Sequence, residues 1–120
     1  MATVLIIEDE MNIRLFVSAN LEARGYTVLE AETGDDGLRL LRDMRPNALI
    51  LDMLLPDMTG WDVLDAMAAD EVLKHIPVIL MTASLNVGEA TKYPNLIQHV
   101  MKPASVNVLL DALRNVAPQM

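Results

Sequence analysis

The sequence predicts an α/β domain: a parallel β-sheet with helices packed on both faces. Three observations carry this. Short apolar runs recur along the chain, each too short for a helix and most of them rich in Val or Ile. Amphipathic helical periods lie between the runs. No linker, low-complexity tract or internal repeat interrupts the alternation. A β-α unit repeated five times requires crossover connections. Those connections are right-handed and lay helices over both faces of a parallel sheet.

Each element follows from its own residues. Thr3–Ile7 is the first strand. Ile13, Phe16, Val17 and Leu21 fall at i, i+3, i+4 and i+8, one face of a first helix. Gly25 stands where that helix should stop. Tyr26–Ala31 alternates more and reads as a strand nearer an edge. Leu38, Leu41 and Met44 mark a second helix, closed before Pro46. Asn47–Leu51 is the third strand, and Val63, Leu64 and Met67 mark a helix beginning near Gly60. Val78–Met81 is the fourth strand. Ser84–Asn95 is poorly periodic, contains Gly88 and Pro94, and accommodates at best a short helix. Leu96–Met101 is the fifth strand. Val106, Leu109, Leu110 and Leu113 mark the last helix, ended before Pro118.

Composition narrows the function. The chain has 120 residues, the usual size of one domain. Apolar residues make up 52% and charged residues 22%, a globular balance. The absence of Cys excludes disulfides and thiolate metal sites and fits a reducing cytoplasm. No apolar run approaches a membrane span, and the N-terminus lacks the features of a secretory signal. The net charge of −8 repels a phosphate-coated partner, which speaks against direct nucleic-acid binding, and attracts a divalent cation. Gly34 and Gly37 make no phosphate loop, so nucleotide binding has no support.

Sites in such sheets lie at the carboxyl ends of the strands. There the first strand runs into Glu8 and Asp9, the third into Asp52, the fourth into Thr82 and the fifth into Lys102. Taken singly these residues are unremarkable. Asp9 alone reads as a helix N-cap, Lys102 as a solvated lysine and Thr82 as a strand end. One per strand at a common edge is another matter. Clustered carboxylates hold either protons or a cation. Mg²⁺ suits one or two carboxylates, water and a phosphate oxygen. A carboxylate can also act as nucleophile and form an acyl phosphate. Lys102 would then add a point charge, and Thr82 a hydrogen bond to a phosphoryl oxygen.

These pieces resemble the receiver domain of bacterial two-component response regulators. The resemblance rests on Ile7-Glu8-Asp9-Glu10, on the run from Leu49 through Asp52, Pro56 and Gly60, on Met81-Thr82-Ala83 and on Met101-Lys102-Pro103. It covers essentially residues 1–120 and implies a flavodoxin-like sheet of order 2-1-3-4-5, with the fourth helix short or irregular. It implies that Asp52 takes a phosphoryl group from a sensor histidine kinase or histidine phosphotransfer protein. It further implies that Asp9, Asp52 and the main-chain carbonyl at Met53 or Leu54 ligate Mg²⁺, with Glu8 acting through water. Thr82 would swing toward the phosphoryl group, Lys102 would pair with it, and Lys102-Pro103 would be a cis bond. Leu54 and Ser84 would flank the phosphoryl group and set its lifetime.

The departures concern output. His99 stands where the family usually has Tyr or Phe as a switch residue, and Ala104 where it commonly has Phe. His99 reads as a modified switch, a titratable group or a packed strand residue. The stretch from Thr82 to Lys102 looks shortened. The leading expectation is a single-domain response regulator, without an output domain, that signals to a downstream protein target in the cytoplasm, with homodimerisation open. A receiver-like interaction module that is not phosphorylated in use is the alternative. A Mg²⁺-dependent aspartyl phosphatase is the third, weakened because Leu54 stands where such an enzyme needs its general acid.

Other residues take ordinary readings. Met44, Met53, Met67, Met81 and Met101 read as core fillers. Trp61 reads as a packed anchor in the loop after the third strand. Asp62, Asp65, Asp70 and Glu71 read as a solvated helix face, as do Arg39, Arg42 and Arg45 with nearby acids.

Overall fold

A computed structural model describes residues 2–83, 92–102 and 105–117. Five parallel strands form one sheet in the order β2-β1-β3-β4-β5. They are β1 (Thr3–Ile7), β2 (Thr27–Ala31), β3 (Ala48–Asp52), β4 (Val78–Thr82) and β5 (Leu96–Met101). The helices among the described residues are α1 (Met11–Glu22), α2 (Gly34–Met44), α3 (Gly60–Ala68) and α4 (Val106–Val116), with a 3-10 turn at Leu73–His75. The short helix expected within Ser84–Asn95 falls largely outside the described residues.

The strand periodicity of two splits the core into two layers. Val4, Ile6, Ile50, Ile79 and Met81 pack with Val17 and Leu21 of α1 and with Leu109, Leu110 and Leu113 of α4. Leu5, Ile7, Leu49, Leu51, Val78 and Leu80 pack with Leu38 and Leu41 of α2 and Val63, Leu64 and Met67 of α3. β3 and β4 are buried at every residue, which is why they read as unbroken apolar runs. Leu29 and Val28 of the edge strand β2 are only partly buried, as the looser alternation there suggested.

Local chemistry sets the helix ends. The Thr33 hydroxyl accepts from the Asp36 amide at the start of α2. Thr59 and Asp62 form a reciprocal capping box at the start of α3. Asp70 accepts from the Val72 and Leu73 amides and starts the 3-10 turn. Gly25, at φ 93°, turns the chain from α1 into β2, a conformation that favours glycine.

Several expectations about packing are corrected. Phe16 is 60% exposed and Met44 is 54% exposed, so neither belongs to the core. The buried face of α1 is Arg14, Val17, Ser18 and Leu21 instead. The guanidinium explains the rotation, because it is held by three acceptors beneath the helix. Arg14 Nη1 donates to the Glu8 carbonyl at 2.9 Å, Nε to Glu30 at 2.9 Å and Nη2 to Glu32 at 3.3 Å. Met101 is 44% exposed on β5, whereas Met67 and Met81 are buried. Trp61 lies in the first turn of α3 rather than in the preceding loop. Asp62, Asp65 and Asp70 each hold a specific hydrogen bond and are not merely a solvated face.

Candidate functional site

The register of the sheet assembles the site. Ile7 lies opposite Leu51, so Glu8 follows level with Asp52. Asp52 lies opposite Met81, and Thr82 opposite Met101, with Lys102 next. The backbone ladder continues past the strand ends. The Glu8 amide donates to the Ala31 carbonyl at 3.0 Å, the Met53 amide to Met81 at 2.9 Å and the Lys102 amide to Thr82 at 2.7 Å. Each of these side chains therefore stands at a strand end that the ladder already fixes.

Glu8, Asp52 and Thr82 are buried, and Asp9 is exposed above them. Asp9 does not cap α1. Glu10 occupies the cap position, and no side chain there bonds to the helix amides. The Asp9 carboxylate instead joins Glu8 and Asp52, one oxygen from each lying within 4.8 Å of the others. Lys102 Nζ contacts Glu8 at 2.9 and 3.2 Å and Asp52 at 3.1 Å. Burial pushes the Glu8 carboxyl up to about 8, and its hydrogen bond with Asp52 adds to the rise against the pull of Lys102. Burial draws the Lys102 ammonium down, but its hydrogen bonds to Glu8 and Asp52 outweigh this and leave it raised.

A cleft of about 290 Å³ opens at this edge, lined by Asp52, Met53, Leu54, Trp61, Thr82, Ala83 and Lys102. The Leu54 side chain is 67% exposed at its rim. The floor is fixed by α3. The Gly60 amide donates to the Met53 carbonyl at 2.6 Å, and a Cβ on Gly60 would come within 3.1 Å of the Asp52 carbonyl oxygen. Glycine there lets the helix start approach the acidic strand end.

The donor set suits a hard divalent ion. Three carboxylate oxygens converge, with no nitrogen or sulfur ligand among them. Such an ion neutralises charge on a phosphoryl group in transfer.

Sequence reasoning missed three supports. Arg14 holds the turn that carries Glu8 and Asp9, and its spacing with Val17 and Leu21 was the available signal. Asp57 accepts from the Gly34 and Asp35 amides at 2.8 and 2.9 Å, tying the β3–α3 loop to the start of α2. Those two bonds hold its carboxyl below the ordinary aspartate value. Tyr93 stacks on Trp61, a contact between distant residues that no local spacing announces. His99 is exposed on β5. Ser84, Pro103 and Ala104 lie outside the described residues, and with them the expected cis bond.

The chain belongs to the response regulator receiver domain family, whose model matches residues 4–114. It is 33% identical over 116 residues to the polar-differentiation response regulator DivK of Brucella anthropi, covering 94% of both chains. Its fold matches the chemotaxis response regulator CheY4 of Vibrio cholerae with a TM-score of 0.89 at 28% identity, over 97% of this chain and 98% of that one. It also matches the receiver domain of a Pseudomonas aeruginosa sensor histidine kinase with a TM-score of 0.86 at 23% identity, over 96% of each chain. That structure holds a magnesium ion in its active-site cleft. The chain is thus a receiver of two-component signalling, a signalling domain rather than a conventional enzyme. No described helix is long and apolar enough to cross a membrane.

Proposed function

We propose that Asp52 accepts a phosphoryl group from a phosphohistidine on a sensor kinase or phosphotransfer protein, with Mg²⁺ at the acidic cluster. The observation that carries this is the position of the Asp52 carboxylate. It lies at the strand end beside Glu8 and Asp9, with Lys102 Nζ 3.1 Å away. Asp9, Asp52 and the Leu54 main-chain carbonyl would hold the ion, with Glu8 reaching it through water. The Met53 carbonyl already accepts from Gly60, which favours Leu54. The bound ion would supply charge neutralisation for the transferring group.

The protein groups have separate roles. Asp52 attacks phosphorus. Lys102 turns from its pairing with Glu8 and Asp52 to the incoming phosphoryl oxygens. Thr82, buried at the end of β4, donates its hydroxyl to another oxygen. The exposed Leu54 side chain and Ser84 admit or exclude the attacking water and so set the lifetime of the acyl phosphate. Self-catalysed phosphotransfer and autodephosphorylation are the most that this domain does as a catalyst. His99 takes no step in the transfer. On exposed β5 it belongs to the surface that presents the phosphorylation state to a downstream protein or a second copy. The domain acts in the cytoplasm, where kinase domains and Mg²⁺ are available.

The test is intact mass after incubation with a small phosphodonor, with Mg²⁺ and with chelator. One added phosphoryl group that requires the metal supports the reading. No addition with any donor points to an interaction module that is not phosphorylated in use.

A further inference from the structure

The Trp61 indole is a wall of the acceptor cleft that the transfer chemistry above leaves without a role. Its position is strongly determined. It follows Gly60, whose amide is bonded to the Met53 carbonyl at 2.6 Å, so its backbone is tied beside Asp52. It is half-buried, against the cluster that includes Val63, Leu64 and Tyr93. Its ring stacks on Tyr93 with centroids 5.7 Å apart and planes 13° from parallel. Tyr93 is itself buried, and its hydroxyl donates to Asp65 at 2.6 Å, one turn further along the same helix. Tyr93 thus holds one face of the indole, and Trp61 lines the cleft with Lys102 and Thr82.

We propose that Trp61 is a specificity-determining residue that favours phosphodonors that carry the phosphoryl group on a protonated imidazole ring. This rests on the phosphoacceptor reading of Asp52. A phosphohistidine-type donor carries phosphorus on one ring nitrogen and a proton on the other, so its ring is cationic. An indole presents the most favourable aromatic surface for such a cation. In the transfer, an Asp52 carboxylate oxygen forms the new O–P bond and the P–N bond breaks. Its electron pair returns to the ring, which leaves as neutral imidazole with the proton it already held. An acyl phosphate donor has no ring to place against Trp61 and breaks a P–O bond instead. The ring still carries positive charge in the transition state, before the P–N bond has fully broken, so the contact holds there as well as in the captured donor. Trp61 therefore acts on the second-order rate of transfer from such a donor, and Tyr93 positions it.

The experiment compares second-order rate constants for phosphorylation by monophosphoimidazole and by acetyl phosphate, both with Mg²⁺ and both read by intact mass. Wild type, Trp61→Leu and Trp61→Phe are used. The ratio of the imidazole to the acetyl constant should fall between about twofold and about thirtyfold in Trp61→Leu. Trp61→Phe should recover part of it, because a smaller aromatic face remains. Tyr93→Leu, which removes the stacked ring and not the indole, should lower the ratio in the same direction by less. An unchanged ratio in Trp61→Leu overturns the proposal, including the case in which both constants fall together because the cleft has collapsed. Failure of both donors to phosphorylate the wild type would instead overturn the phosphoacceptor reading and this inference with it.

Discussion

Lys102→Met removes the cation that, among the described residues, contacts both Glu8 and Asp52. The ammonium lies 2.9 and 3.2 Å from the two Glu8 oxygens and 3.1 Å from Asp52. Glu8 is fully buried, whereas the Lys102 side chain keeps 20% exposure. Breaking a buried pair from one side costs about 3–5 kcal/mol, because a charge is left without compensation. Water can follow the partly exposed stem inward, which places the loss near the lower end, about 3 kcal/mol. For a domain of this size that is a fall in Tm of roughly 10 °C. The loss should depend on pH. The Glu8 carboxyl is raised from 4.5 to about 8 in the folded protein, so the folded state holds its proton longer than the unfolded chain does. Its contribution is fully present below 4.5 and is lost as pH rises through about 8. Without Lys102 nothing opposes that rise, and Glu8 stays protonated to still higher pH. The gap between wild type and variant should therefore be smaller at pH 6 than at pH 9. Urea unfolding at the two pH values measures it, and added Mg²⁺ should stabilise the variant more than the wild type. A gap below about 1 kcal/mol, or an equal gap at both pH values, would refute an uncompensated buried carboxylate as the cause.

The remaining predictions concern the supports. Arg14→Met should destabilise the domain by about 1–3 kcal/mol in urea unfolding, since it leaves the buried Glu8 carbonyl without its partner, whereas Glu30 and Glu32 remain open to water. It should also weaken Mg²⁺ binding, read by calorimetry, because the turn carrying Asp9 is freed. Asp57→Ala should move the acid-unfolding midpoint, followed by circular dichroism, to higher pH. The wild-type contribution is present above the ordinary aspartate pKa of 3.8 and is lost as pH falls through the lower folded value. Gly37→Ala should lower stability by about 1–3 kcal/mol in thermal melts, because its Cβ would overlap the Ile7 side chain and force α2 off the sheet.

The sheet was legible because its residues answer to a simple periodicity. Val4 and Ile6 face one layer while Leu5 and Ile7 face the other. The acidic edge was legible for the same reason. Once the strands are parallel, their last residues must meet, and Glu8, Asp9, Asp52 and Lys102 do. Where sequence reasoning failed, a tertiary contact had overruled a local pattern. Apolar spacing put Phe16 on the buried face of α1, but the guanidinium of Arg14 found three acceptors there and turned Phe16 outward. Trp61 and Asp65 acquired their roles from Tyr93, about thirty residues away, which no periodicity can announce.

The most direct measurement reduces the phosphorylated protein with borohydride, which converts an aspartyl phosphate to homoserine, and maps the product by peptide mass spectrometry. Homoserine at position 52 and at no other aspartate, absent in Asp52→Asn, is the predicted result. Modification at Asp9 or on the exposed acids, or none after a confirmed mass gain, would contradict Asp52 as the acceptor.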